Sequence, residues 1–271
     1  MKNFLTSLIA VCFLLNISSI AHAETELYDW GINIDGTTYC LYGPCDFDFF
    51  TGGQLTALTD LPSAIDYSNF HLTDDVPPLK DGLGTLTITV TGAGAHSVSV
   101  YLDYDLDYSQ NGGELNETGE KGGTLEAGLS WEIDETGWGA TGSIGTGGKD
   151  YYGDIVGNFS LSGTSPSFVS RLDNKIFFDK IDNQSLVPPI EDTALAQSWD
   201  FELLEGETAV ITFIAGSIKP AGFYLLQKDT VSNTEVYLSS SISGVTIPMS
   251  KKKSFPWVMF LPAIQNGANV K

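Results

Sequence analysis

The chain has 271 residues and a formal net charge of −21, from 34 acidic and 13 basic side chains. This excess of negative charge repels nucleic acid and anionic membranes, and it argues against a phosphate-bearing partner. It favours divalent cations, whose charge relieves the repulsion between carboxylates.

The first 23 residues have the pattern of a secretory signal peptide. Lys2 is followed by an apolar run over residues 5–15, and Ala-His-Ala at 21–23 matches a signal peptidase site. The apolar run is too short for a membrane-spanning helix. We therefore expect an exported chain that begins near Glu24 and acts in the periplasm, at the cell surface or outside the cell. Its net charge would be −22, because −21 minus the one positive charge of Lys2 is −22.

Two of the three cysteines follow the signal peptide, at Cys40 and Cys45. Two cysteines so close together in an exported chain predict a disulfide. Half of a zinc site is the alternative, but it needs further ligands. His71 and His96 are the only histidines after the signal peptide, and neither stands at ligand spacing.

Alternating apolar and polar residues predict β-strands through most of the remaining chain. The alternation is clearest at 84–94, 96–108, 207–216, 221–227 and 234–247, with glycine-rich and asparagine-rich turns between these segments. Many short strands with regular turns predict an all-β protein, an antiparallel β-sandwich of jelly-roll or immunoglobulin-like type.

The sequence indicates one β-sandwich domain over 24–247, followed by a tail at 248–271. Residues 173–183 are the best candidate for a short helix, and 185–192 are expected to form a loop. The tail has an apolar stretch at 255–264 that contains two prolines and is too short to span a bilayer as a helix. A docked or peripheral tail is the favoured interpretation, and an interfacial anchor is the alternative.

The segment VYLDYDLDYSQNGGELNETGE at 100–120 carries the main chemical question. As a strand over 97–108, it would bury one face and present Asp103, Asp105 and Asp107 to water on the other. As a loop, the same residues begin the spacing of an EF-hand calcium loop. The other oxygen ligands of that spacing would be Ser109, Asn111 and Glu114.

A true EF-hand is not expected at this segment, because Tyr108 occupies the position that needs glycine and no amphipathic helices flank it. A calcium site at the strand end remains. In it Asp105 and Asp107, with Asp103 before them, would meet Asn111, Glu114 or Glu117 across a hairpin. A solvated strand face is the favoured interpretation, and the calcium site and a partner surface are its alternatives.

The segment SWEIDETGWG at 130–139 is similar to the Glu-x-Asp-x-Glu strand of one group of jelly-roll glycoside hydrolases. Glu132 and Asp134 match the first two positions, but Thr136 stands where the proton donor is needed. We therefore assign no catalytic residue, and a carbohydrate-active enzyme is the alternative function. Trp138, which stands among glycines, is a candidate for stacking on a sugar ring, whereas Trp131 is expected in the core.

Several ordered segments resemble a group of exported bacterial proteins of the PEP-CTERM kind. The segments are SWEIDETGWG…YYGDIVGNF, SWDFELLEGETAVITFIAG, GFYLLQKDTVSNTEVYLSSSI and the ELNETGE element at 114–120. The resemblance implies an extracytoplasmic β-sandwich of unassigned function, often at the cell surface and associated with extracellular polymer. The chain departs from that group at its end, because IPMSKKKSFPWVMFLPAI has neither the Pro-Glu-Pro motif nor the spanning helix. We expect a non-catalytic surface or matrix protein, stabilised by calcium and binding a glycan or another polymer.

Overall fold

The structure is a computed structural model that describes residues 25–40, 53–72, 81–107, 116–135, 155 and 192–245. Within these ranges twelve strands form two six-stranded sheets. The two sheets enclose a common hydrophobic core. The predicted all-β antiparallel sandwich is therefore confirmed.

The strands divide between two sheets that we call sheet A and sheet B. Sheet A consists of β1 (Thr25–Ile34), β2 (Thr37–Cys40), β3 (Gly53–Gln54), β6 (Gly94–Leu106), β8 (Leu129–Glu135) and β9 (Thr193–Leu203). Sheet B consists of β4 (Ile65–Phe70), β5 (Gly84–Thr91), β7 (Glu117–Gly122), β10 (Thr208–Gly216), β11 (Tyr224–Asp229) and β12 (Glu235–Ser243).

Neighbouring strands in both sheets are antiparallel, except that β2 and β3 are parallel. The spatial order is β3–β2–β1–β6–β9–β8 in sheet A and β4–β5–β10–β12–β11–β7 in sheet B. Each of the five segments with predicted alternation overlaps a strand, namely β5, β6, β10, β11 and β12. Their period of two places one row of side chains towards the other sheet.

The core lies between the inner faces of the two sheets, and some of its polar groups are hydrogen-bonded across it. Trp199 on β9 is fully buried, and its indole Nε1 donates to Oγ of Ser240 on β12 at 2.9 Å. Gln197, on the same face of β9, donates to the carbonyl of Leu238 at 3.4 Å. Trp131 is also in the core, as its place in a strand indicated.

Strand β6 is buried on both faces, so the predicted solvated face is wrong. Asp103 and Asp107 are each 1% exposed, and Asp105 is 7% exposed. The strand lies between β1 and β9 in the interior of sheet A. Alternation shows which side of a strand is apolar, but it does not show whether the polar side faces water.

Several sequence predictions lie outside the described residues. These are the signal peptide at 1–23, Cys45, the helix at 173–183 and the tail at 248–271. In the ranges that the structure does describe, no helix has the length and apolar character needed to cross a membrane.

Candidate metal centre

Three aspartates meet where β6 and β9 separate, on the face of sheet A that points away from sheet B. The last residue pair between the two strands is Asp103 with Ala194. Asp105 lies two residues beyond this pair on β6, and Asp192 lies two residues beyond it on the other chain segment. Because alternate residues share a face, all three carboxylates lie on the same side of the sheet. Ala194 projects only a methyl group among them.

The three carboxylates, which we call the Asp triad, are close enough to bind one ion. One oxygen from each of Asp103, Asp105 and Asp192 lies within 4.8 Å of the others. Calcium binds oxygen at about 2.3–2.6 Å, so two oxygens on one calcium ion are at most about 5 Å apart. The spacing of the Asp triad therefore fits three ligands of a single cation.

The Oδ1 atom of Asp103 is buried, and it accepts no hydrogen bond from the part of the chain that the structure describes. A buried acceptor without a partner is costly, and more so when it carries charge. It lies on a side chain that is 1% exposed and that faces two further carboxylates. This atom is the strongest single indication that the Asp triad receives a proton or a cation.

The electrostatic surroundings of the Asp triad are entirely acidic where the structure resolves them. Burial raises the pKa of Asp103 well above its usual range, and the neighbouring carboxylates of Asp192 and Asp105 raise it further. Burial also raises the pKa of Asp105 to about 7, with contributions from Asp192 and Glu26. Every charged side chain that shifts these two pKa values is negative. The Asp triad is therefore a place where positive charge is strongly favoured.

Two acidic residues of β1 flank the Asp triad on its other side. Asp29 pairs with Asp103, and Glu26 pairs with Asp105, across the antiparallel β1–β6 ladder. Asp29 is 4% exposed, and its Oδ1 accepts the backbone N–H of Trp30 at 2.7 Å. These residues add to the negative potential at the Asp triad.

The structure combines two of the predicted calcium ligands with a residue that the sequence did not indicate. Asp103 and Asp105 belong to the Asp triad, but Asp107 does not. Asp107 has a positive φ of 58°, and its Oδ2 accepts a hydrogen bond from the Thr234 hydroxyl at 2.9 Å. Asn111 and Glu114 lie outside the described residues.

Asp192 was missed because it ends a segment that the sequence indicated only as a loop. Its position beside β6 depends on the pairing of two strands that are far apart in the chain. The one local signal was its place directly before TALAQSWDFEL, a run of mostly small and apolar residues typical of a central strand.

Glu132 and Asp134, the two residues that matched the glycosidase pattern, lie on the outer face of β8. Each is 1% exposed, so neither carboxylate is open to a polysaccharide. A glycoside hydrolase needs two carboxylates that reach the same glycosidic bond. Thr136 and Trp138 lie outside the described residues.

The two histidines that the structure describes each pair with an aspartate away from the Asp triad. His71 Nδ1 lies 2.6 Å from Asp81 Oδ1, and His96 Nδ1 lies 2.8 Å from Asp35 Oδ2. Asp35 also accepts the backbone N–H of Ser97 at 2.8 Å, so it fixes the β1–β2 turn against β6. Both histidines therefore have aspartate partners, and neither belongs to the Asp triad.

Cys40 is fully buried at the end of β2, while Cys45 lies outside the described residues. The disulfide between them therefore stays a prediction.

Comparisons of the chain with protein-family models, with curated proteins and with solved structures gave no match. The resemblance to PEP-CTERM proteins likewise stays a prediction.

Proposed function

We propose that the Asp triad binds Ca²⁺, and that the bound ion stabilises the β-sandwich of an exported, non-catalytic surface or matrix protein. The observation that carries the proposal is the buried Oδ1 of Asp103, which lacks a hydrogen bond within the described residues and belongs to a cluster of three carboxylates. A calcium ion would supply the missing partner, and its two positive charges would offset most of the negative charge of the three carboxylates.

The chemistry of the donor set favours calcium over other common metals. All three ligands are carboxylate oxygens, which suit hard cations such as Ca²⁺ and Mg²⁺. Zinc and copper sites in proteins use histidine or cysteine, and the Asp triad has neither. Calcium also tolerates irregular geometry and takes six to eight oxygens, so side chains from two strand ends can share it with water.

Binding at this position would stabilise the fold directly. Asp105 and Asp192 come from segments that meet only when β6 and β9 pair, so the complete site exists only in the folded chain. A ligand that binds only the folded state shifts the folding equilibrium by mass action. Calcium would therefore stabilise the end of sheet A at which the pairing of β6 with β9 ends.

Export and a role in an extracellular polymer complete the proposal. The signal-peptide pattern at 1–23 supports export. Calcium sites of extracellular modules have dissociation constants of about 10⁻⁴–10⁻³ M, so a site of low affinity is sufficient in an exported protein. Trp138 is the candidate contact for a glycan. Loss of binding to a glycan array in Trp138→Ala tests that part, and unchanged binding would reject it.

The calcium site is tested by thermal unfolding in EDTA and in excess calcium. At a concentration of 100 times the dissociation constant, calcium adds about 2.7 kcal/mol of stability. For a domain of this size this corresponds to a rise in Tm of about 5–11 °C. The rise should disappear in Asp192→Asn and persist in Asp107→Asn, whose amide oxygen can still accept from Thr234. The proposal fails if calcium leaves the wild-type Tm unchanged, or if Asp192→Asn keeps the full rise.

A further inference from the structure

A carboxylate from the opposite sheet holds the two strand ends that carry the Asp triad. Glu117 on β7 of sheet B is fully buried. Its Oε1 accepts the backbone N–H of Leu106 at 2.9 Å, and its Oε2 accepts the backbone N–H of Thr193 at 3.1 Å. Leu106 directly follows Asp105, and Thr193 directly follows Asp192. One side chain thus anchors both neighbouring segments by their main chains.

Glu117 acts where the ladder between β6 and β9 has ended. The last pair in that ladder is Asp103 with Ala194, so the next backbone groups need other partners. The Glu117 carboxylate accepts one N–H from each strand, and its fixed width sets the distance between them. Asp105 and Asp192 lie on these two strand ends, so the Glu117 carboxylate also sets the distance between them.

The Glu117 carboxylate is itself fixed by a neighbour on β11. Nε2 of Gln227 donates to Oε2 of Glu117 at 2.6 Å, and the same amide group donates to the carbonyl of Tyr104 on β6. Burial raises the pKa of Glu117, while the hydrogen bonds from Leu106, Thr193 and Gln227 oppose that shift. Three N–H groups thus donate to its two oxygens and fix their orientation. They also leave it engaged with protein rather than with an ion.

We propose that Glu117 is a positioning residue of the calcium site, and this inference rests on the proposed function above. Glu117 does not contact the ion. It sets the spacing of Asp105 and Asp192 through the backbone, so that the two carboxylates are arranged before calcium arrives. Such preorganisation raises affinity by reducing the ordering that binding requires.

The test compares Glu117→Gln with a variant that destabilises β6 at a position away from the Asp triad. In Glu117→Gln, an amide NH₂ replaces one acceptor oxygen, so one strand end loses its partner. Calcium affinity, measured by titration calorimetry under conditions where the protein stays folded, should weaken at least tenfold. Val98→Ala is the control, because Val98 is a fully buried core residue at the other end of β6. It should lower stability and leave the calcium affinity within twofold of wild type.

The possible outcomes separate this inference from the proposal on which it rests. If wild type binds no calcium, the proposed function fails. If wild type binds calcium and the calcium affinity of Glu117→Gln is within twofold of that of Val98→Ala, the positioning role is overturned and the calcium site stands.

A measurement on wild type covers the case in which Glu117→Gln does not fold. Coupling between sites is reciprocal, so calcium should slow amide hydrogen exchange at Leu106 and Thr193 several-fold more than at Val98. Equal slowing at all three amides would overturn the positioning role.

Discussion

Replacing Asp103 with asparagine should have opposite effects on stability without and with calcium. Without an ion, the Asp triad holds three carboxylates whose oxygens lie within 4.8 Å of one another. Asp103→Asn removes one of these charges and keeps the size of the side chain. The variant should therefore be more stable than wild type in EDTA, and it should gain much less from calcium.

The size of the effect follows from Coulomb's law. Two unit charges about 4.8 Å apart repel by about 3.5 kcal/mol at an effective dielectric constant of about 20. Asp103 faces two such neighbours, so the repulsion would be about 7 kcal/mol if all three carboxylates were fully ionised. Burial and the neighbouring carboxylates raise the pKa of Asp103 well above its usual range and the pKa of Asp105 to about 7, so proton uptake relieves much of this repulsion near neutral pH. We expect a net gain of about 1–3 kcal/mol at pH 8, which raises Tm by about 2–12 °C.

The assay is urea or thermal unfolding of wild type, Asp103→Asn and a charge-matched control, each in EDTA and in excess calcium. Glu202→Gln is a suitable control, because it removes one negative charge from an exposed position on β9. It should change stability by less than about 0.5 kcal/mol in both conditions. Wild type should gain about 2.7 kcal/mol at a calcium concentration of 100 times the dissociation constant, so the order of stability reverses.

Two results would refute this reasoning. If Asp103→Asn is less stable than wild type in EDTA, the apo carboxylates do not repel as their spacing requires. If the variant gains as much from calcium as wild type does, the ion does not bind at the Asp triad.

Three further predictions concern other parts of the fold. Partial burial lowers the pKa of His96, but hydrogen bonds to Asp35 and the Gly92 carbonyl outweigh it, so the pKa is raised. The stability that the His96–Asp35 pair contributes is fully present below about pH 6.5 and is lost as pH rises through the folded-state pKa. The difference in urea midpoint between wild type and His96→Gln should therefore shrink with rising pH. Gly119→Ala would place a Cβ 2.1 Å from Cγ2 of Ile133, so the free energy of unfolding should fall by about 1–3 kcal/mol in urea denaturation, and an unchanged value would contradict the close packing of β7 on β8. Trp199→Phe loses the hydrogen bond to Ser240 and part of a fully buried ring, so Tm should fall by several degrees, and no fall would contradict the bond.

The sequence predicted the fold class because the signals for it are local. Alternation in segments such as 84–94 and 207–216 decides strand formation within a few residues, and glycine-rich turns separate the strands. The acidic strand end at Asp103 and Asp105 was also visible locally. The burial of these side chains was not, because it depends on what packs on the far side of sheet A.

The third member of the Asp triad could not be found from spacing along the chain. The spacing of Asp103, Asp105, Asn111 and Glu114 suggested a site built from one continuous segment. The structure instead brings in Asp192 through the pairing of β6 with β9. Long-range pairing is set by the packing of whole sheets, which a single sequence does not reveal.

Burial of the Asp triad leaves few ways to balance its charge. A proton neutralises one carboxylate at a time, and a pKa of about 7 at Asp105 means that the proton on this carboxylate leaves near neutral pH. Within the described residues, the charged side chains that shift the pKa values of Asp103 and Asp105 are acidic. The chain as a whole has 13 basic residues against 34 acidic ones. A divalent cation neutralises two charges and satisfies the oxygen of Asp103 that lacks a hydrogen bond within the described residues. We therefore expect the stability of this end of the sandwich to rise with the concentration of calcium.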